Sequence, residues 1–199
     1  MRWDIINYLV EKNNYKSYLE IGVQDYNSNC AKIIAESKFA VDPFPRGICD
    51  FVGTSDKYFE SISDDTKFDI IFIDGLHHSD QVVKDVENSL KHLNEKGTIV
   101  VHDCLPENFS NQVRIDHGGE WTGDVWKAIV YLKGRRDDLD IKVVNHDWGC
   151  GIIQRGSQVL IDKLELEEIR WSLYEEKRDE ILSVISEEEF LKLYNNVTI

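Results

Sequence analysis

The sequence lacks any run of about eighteen apolar residues, the length a helix needs to cross the hydrocarbon core of a bilayer. Its start, MRWDIINYLVEK, is amphipathic and does not read as a secretory leader, so a soluble, cytoplasmic protein is expected. Basic charge is scarce: 23 Lys and Arg stand against 37 Asp and Glu, a formal net charge of -14. A chain of that sign repels nucleic-acid backbones and anionic membranes, which leaves a small molecule or another protein as the partner. Cysteine is sparse and scattered, at Cys30, Cys49, Cys104 and Cys150, with no CxxC pair. That excludes a thiolate zinc site and fits reduced thiols used mainly in packing. No internal repeat or low-complexity block is present. The GxGxxG fingerprint of nicotinamide dinucleotide folds is missing too, which disfavours an oxidoreductase of that kind. At 199 residues the chain has room for one domain with a proper core.

What is present centres on residues 67–106. Phe68 to Ile73 is a short apolar run rich in isoleucine, as in a strand buried on both faces of a parallel sheet, and it stops at Asp74-Gly75. The spacing of Val82, Val83, Val86, Leu90 and Leu93 predicts a helix, capped by Ser79 and ended by Gly97. Thr98 to Val101 then reads as a second buried strand that ends on His102-Asp103-Cys104. Such a βαβ unit has parallel strands. Asp74, Asp103 and His77 therefore emerge at the carboxyl edge of the sheet, where open α/β sheets bind ligands.

The flanking segments repeat the alternation. Residues 2–13 form a leading helix with a packing role, and Ser17 to Ile21 the first strand, closed by Gly22. A helix over Cys30 to Glu36 is expected next, then a strand at Phe39 to Val41 that ends on Asp42. Asp42 lies about twenty residues past the loop glycine, the separation at which an acid reaches a ribose hydroxyl in nucleotide-binding α/β folds. Phe51 to Thr54 reads as the third strand, with Ser55-Asp56 opening a helix. The stretch from Pro106 to Gly119 is a mobile loop or a substrate lid, and helical spacing resumes from Trp121 to Tyr131. Trp121, Asp124, Trp126 and Lys127 suit either a polar substrate pocket or, for the two tryptophans, the core. Leu139 to Val144 and Cys150 to Gln154 form a closing hairpin. The expected division is a domain over residues 1–155 and a charged helical tail over 156–199. The tail's apolar residues would dock on the domain or on a second subunit, as in a homodimer.

The motifs YLEIGVQDYN, FAVDPFP, VGTSDKYF, FDIIFIDGLHHSDQV, IVVHDCLP and GDVWKAI run in order from Tyr18 to Ile153. In that order and spacing the chain resembles class I S-adenosylmethionine-dependent methyltransferases, in particular a bacterial branch found beside carbohydrate and natural-product genes. The resemblance implies an α/β, Rossmann-like fold: a seven-stranded sheet of order 3-2-1-4-5-7-6, the seventh strand antiparallel, with helices on both faces. It implies that Gly22 lets the backbone approach the cofactor, Glu20 fixes its methionine end, Asp42 binds its ribose, and Ser55 and Asp56 meet the adenine, with Asp74 in the same crevice. In the similar catechol-type O-methyltransferases, carboxylates at the positions of Asp74 and Asp103 hold a divalent cation such as Mg2+. A basic residue at the position of His77 acts there on the acceptor hydroxyl. Cys104 stands where those enzymes carry an amide. The activity implied is O-methylation of a small polar acceptor, a sugar or a secondary metabolite. The alternatives are a non-catalytic nucleotide-binding or scaffold protein of the same fold and, less favoured, a nicotinamide-dependent oxidoreductase.

Overall fold

The computed structural model describes residues 1–195. The chain runs α1 (Arg2–Asn13), β1 (Ser17–Ile21), β2 (Ser37–Asp42), β3 (Phe51–Val52), α2 (Ser55–Ser61), β4 (Phe68–Ile73) and α3 (Ser79–Lys91). It continues through β5 (Leu93–Val101), α4 (Val125–Lys133), β6 (Leu139–Val144), β7 (Cys150–Arg155), α5 (Trp171–Ile181), β8 (Val184–Ile185) and α6 (Glu187–Asn195). One sheet collects the strands in the order β3-β2-β1-β4-β5-β7-β6-β8. β7 is antiparallel to both its neighbours, and the other pairs are parallel. The expected order of seven strands is therefore present, and an eighth strand lies beyond it.

The isoleucine-rich strands account for the layering. Successive side chains of a strand point to opposite faces. Ile71, Ile73, Ile99 and Val101 thus meet Val82, Val86 and Leu90 of α3 and Trp126 and Ile129 of α4 on one side. Ile70, Phe72 and Val100 meet Ile5, Ile6 and Leu9 of α1 on the other. Each such buried aliphatic contributes about 1.5–3 kcal/mol of transfer free energy, so the central strands are fixed from both faces. Among the described residues no helix is long and apolar enough to cross a membrane.

Four local expectations change. Residues 30–36 form a single 3-10 turn, Cys30–Lys32, because the Lys38 ammonium takes the Cys30 and Ile33 carbonyls at 2.9 and 3.1 Å and the chain leaves extended at Ile33. β3 keeps only two residues, since Thr54 turns out as the cap of α2. Leu93 and Gly97 belong to β5, not to α3. Gly97 serves a close approach, as a Cβ there would lie 2.7 Å from the Asp69 carbonyl oxygen, at the irregularity between β4 and β5. Finally, α4 begins at Val125 and not at Trp121, because residues 121–124 are shaped by contact with His77 as described below.

Beyond residue 156 the chain returns to the sheet. β8 pairs with β6, Ile169, Tyr174, Ile181 and Leu182 enter one core, and Phe190 enters the other. Residues 196–199 of the expected tail lie outside the described ones. Phe190 is fully buried with its ring 5.4 Å from that of Tyr8 on α1. Phe190→Ala should cost about 3–5 kcal/mol of stability, the usual range for an aromatic deleted from a core. Denaturant unfolding measures this, and a loss below about 1 kcal/mol would show that α6 contributes little to the fold.

Candidate active site

The carboxyl ends of β1, β2, β4 and β5 converge on one crevice, and the backbone dictates how closely. The Asp74 N–H donates to the Ile21 carbonyl at 2.9 Å, which draws the ends of β1 and β4 together. Gly22 has φ 89°, and a Cβ there would sit 2.2 Å from the Asp74 carbonyl oxygen. Only glycine fits this junction. The cleft above it, of about 600 Å³, is lined by Glu20, Gly22, Asp42, Asp74, His77 and Asp103, together with Arg2, Asn29, His102 and Trp121. A second lobe of about 340 Å³ shares Gly22, Phe44 and Leu76 with it and is lined by Ser55, Asp56, Gln81 and Asp85. Every site residue expected from the sequence thus borders one continuous crevice.

Asp42, at the end of β2, is nearly buried and accepts the Gln24 N–H at 2.9 Å and the Phe44 N–H at 2.6 Å, so its carboxylate is held in one orientation. Glu20 sits deeper. Its Oε2 accepts the Tyr18 hydroxyl at 2.5 Å and the Asn29 amide at 3.1 Å. Burial raises its pKa to about 7 against the partial opposition of these hydrogen bonds. In the second lobe Ser55 donates to Asp85 at 2.6 Å and Gln81 bridges Asp85 and Asp56 at 3.0 and 3.2 Å. Burial lifts the Asp85 carboxyl to about 6.

Over β4 and β5 the charges interleave. His77 Nε2 lies 3.4 Å from Asp74 Oδ1, and His77 Nδ1 lies 3.2 Å from Asp103 Oδ2. His102 Nδ1 faces the same pair, 3.3 Å from Asp74 and 3.2 Å from Asp103. Arg2 Nε approaches Asp74 at 3.5 Å, and Asp147 takes the Arg2 backbone N–H at 2.6 Å and stands 3.9 Å from His102 Nε2. Each carboxylate of the cluster therefore has a basic neighbour. Burial disfavours the charged forms of Asp74, His77 and His102, but proximity prevails at each. His102 is held up at about 10 by Asp74 and Asp103, His77 is raised by the same two, and Asp74 is held well below the usual carboxylate range by His102 and His77.

The loop before α4 closes on His77. Trp121 stacks on its ring, centroids 4.7 Å apart and planes 18° apart. Gly123 has φ 58°, a Cβ there would lie 1.9 Å from the His77 carbonyl oxygen, and the Asp124 N–H donates to that oxygen at 3.2 Å. Asp124 also accepts the Ser79 N–H at 2.8 Å, so the first turn of α3 is capped from this loop and not by Ser79. Of the two tryptophans, Trp121 lines the cleft and Trp126 is fully buried in the core. Asp103 has φ 62°, a conformation that costs a non-glycine residue about 1–3 kcal/mol. It is imposed by the β6–β7 hairpin, whose Gly149 and Trp148 carbonyls accept the Cys104 and Leu105 N–H groups at 3.1 and 2.7 Å. Cys104 is turned away from the cleft, fully buried with its sulfur beside Gly151.

Sequence reasoning missed His102, Arg2, Asp147 and Asn29. His102 adjoins Asp103 at a strand end, a signal that was available. Arg2 and Asp147 lie far from the motifs in sequence and join the site only through the docking of α1 on the sheet and the β6–β7 turn.

A mostly parallel sheet of this order, with a glycine-closed β1, an acid ending β2 and a crevice above β4, defines a class I S-adenosylmethionine-dependent methyltransferase. Residues 9–104 match the family described as a methyltransferase domain, and the chain is a methyltransferase of that class. No curated protein matches the sequence. A Staphylococcus aureus protein provisionally named a caffeoyl-CoA O-methyltransferase is similar in structure, with TM-score 0.60, 20% identity and 78% of this chain against 83% of that one covered. The O-methyltransferase TomG of Streptomyces achromogenes, solved with S-adenosylmethionine, gives TM-score 0.57, 14% identity and coverage of 78% and 80%. MycE, a methyltransferase of mycinamycin biosynthesis solved with Mg, S-adenosylhomocysteine and mycinamycin VI, gives 0.50, 14%, 77% and 49%. At these identities the likeness is one of fold, and the fold is O-methyltransferase-like.

Proposed function

We propose that the protein transfers the methyl group of S-adenosylmethionine to a hydroxyl of a small polar acceptor, a sugar or a secondary metabolite. The observation that carries this reading is the meeting of His77 with Asp74 and Asp103, at 3.4 and 3.2 Å, in the same cleft as Gly22 and Asp42. Ser55 and Asp56 take the adenine end of the cofactor, Asp42 the ribose and Glu20 the methionine end. Proximity of the hydroxyl to the sulfonium methyl supplies much of the acceleration, and His77, backed by Asp103, removes the proton as the oxygen–carbon bond forms and the carbon–sulfur bond breaks.

The charge of the cleft supports an acceptor that is neutral or cationic. Glu20, Asp25, Asp42, Asp74, Asp103 and Asp116 line it, while its basic groups, Arg2, His77 and His102, are engaged by Asp74, Asp103 and Asp147. A carboxylate or phosphate would meet repulsion there. Trp121 offers an apolar face of the kind a sugar ring covers.

Asp74, His102 and Asp103 each offer one ligand atom, all within 4.8 Å of one another, and two carboxylates with an imidazole form a donor set that fits a divalent cation. Asp74 and Asp103 would hold a Mg2+ ion through oxygen, and His102 as a third ligand would turn the site toward a transition ion; either would lower the pKa of the acceptor hydroxyl. His102 must shed its proton to ligate, so metal affinity should climb with pH.

Asp42→Ala tests the cofactor assignment. Loss of a charged hydrogen-bond partner removes about 1.5–3 kcal/mol, so the affinity for S-adenosylhomocysteine, measured by calorimetry, should fall roughly ten- to hundredfold. Unchanged affinity would refute the ribose role. Methyl transfer to any acceptor, set against cofactor binding without transfer, separates the enzyme from a scaffold of the same fold.

A further inference from the structure

We infer that Asn29 selects the cofactor by its amino group: the Asn29 side-chain carbonyl, together with Glu20, receives the α-ammonium of the methionine end. The inference rests on the reading of the crevice as an S-adenosylmethionine site. Asn29 follows the polar loop after β1, lines the cleft, and is only 2% exposed. Its amide nitrogen donates to the Tyr18 hydroxyl at 3.0 Å and to Glu20 Oε2 at 3.1 Å. These bonds fix which way the amide faces. A reversed amide would set its oxygen against the Glu20 carboxylate and against the Tyr18 oxygen, whose proton is given to Glu20, so the NH2 group faces inward to both. The carbonyl Oδ1 is then left buried without a hydrogen-bond partner. Unpartnered buried acceptors are rare in folded proteins and mark a place for a group the protein alone does not supply.

The chemistry of the corner says which group that is. Both hydrogen bonds from Tyr18 and Asn29 fall on Glu20 Oε2. A further contact of the carboxylate is with the Cys30 thiol, a weak donor. An acceptor-only carbonyl beside an under-solvated carboxylate calls for a donor, and a positively charged one gains most, because a charged donor makes the stronger bond. The cofactor carries one such group, its α-ammonium. The cofactor carboxylate is repelled from the same corner, so the pair Asn29 and Glu20 also sets which way the methionine end points. Tyr18, fully buried, keeps the pair in place.

The experiment is calorimetry with three ligands: S-adenosylhomocysteine, its analogue with the amino group replaced by hydrogen, and 5′-methylthioadenosine, which lacks the whole amino-acid end. The parent should prefer S-adenosylhomocysteine over the deaminated analogue by roughly a hundredfold or more, the effect of losing a charged group that bonds to two acceptors. Asn29→Leu should shrink that preference at least about tenfold and leave the affinity for 5′-methylthioadenosine unchanged. Asn29→Ala, which removes the same carbonyl without added bulk or charge beside Glu20, should show the same loss of preference and guards against a leucine variant that does not fold. If the parent binds S-adenosylhomocysteine and Asn29→Leu keeps the full preference, the inference is overturned while the reading of the crevice stands. A parent that binds no S-adenosylhomocysteine overturns both.

Discussion

Replacing His77 by alanine is expected to slow single-turnover methyl transfer by about a hundredfold to ten-thousandfold, the contribution of a positioned general base, with little change in cofactor affinity. The imidazole is three residues past Asp74 and points over the carboxyl edge of the sheet, one nitrogen toward Asp74 and the other toward Asp103. Trp121 covers one face of the ring, and the His77 carbonyl is bound by Asp124, so side chain and backbone are both fixed. Burial opposes its charge, but its contacts with the two aspartates prevail and raise its pKa above the ordinary 6.5. The proton-accepting neutral form is thus populated on the alkaline side, and the rate should increase with pH through a midpoint above 6.5. The rival account gives the proton to Asp103, with or without a divalent ion on Asp74, His102 and Asp103. It predicts a small effect at His77, a large one at Asp103→Ala, and arrest by a chelator if the ion takes part. Single-turnover rates of both variants across pH, with and without chelator, divide the two. A His77→Ala rate within about threefold of the parent would remove His77 from the chemistry, since that is far below the general-base range.

The parts of this molecule legible in the sequence are those set by local pattern. Phe68 to Ile73 could be read as a buried strand because both its faces are apolar, and Asp74 and Asp103 followed as neighbours because a βαβ crossover makes the strands parallel. Gly22 and Asp42 were readable for the same reason: each closes a strand at the ligand edge. Boundaries were less legible where a distant group decides them. The turn at Cys30–Lys32 depends on Lys38, the start of α4 on the His77 carbonyl, and the place of Gly97 on the Asp69 carbonyl. β8 was hidden because two residues between helices carry no period of their own. The electrostatic partners were hidden by distance along the chain. The sequence places Arg2 in a helix with a packing role, and nothing in it says that the guanidinium faces Asp74 across the sheet edge.

The last expectation concerns Glu20, whose pKa stands at about 7 chiefly because it is buried at the end of β1. An ammonium is bound by the carboxylate and not by the neutral acid. In the free protein about half of Glu20 is protonated near pH 7, and each further unit of acidity should lower cofactor affinity by up to tenfold, with a plateau on the alkaline side. The same shift governs stability. Since the folded-state value exceeds the unfolded one of 4.5, the stability linked to Glu20 is fully present below pH 4.5 and is lost as pH rises through 7. That penalty reaches about 3 kcal/mol at alkaline pH, an order-of-magnitude figure from 1.36 kcal/mol per unit. Glu20→Gln keeps the shape and removes the charge. It should therefore make the ligand-free protein more stable than the parent at pH 8.5 and match it at pH 4.5, and it should bind S-adenosylhomocysteine much more weakly than the parent at pH 8.5, with the gap closing as Glu20 is protonated toward pH 5.5. Urea unfolding at the two pH values and calorimetry from pH 5.5 to 8.5 measure these effects. Equal stability of variant and parent at pH 8.5, together with an affinity that does not vary with pH, would mean that Glu20 titrates as an ordinary carboxylate and does not meet the cofactor's ammonium. A gain in stability paired with a loss of binding would instead mark Glu20 as a residue kept at a cost to the fold for the ligand it receives.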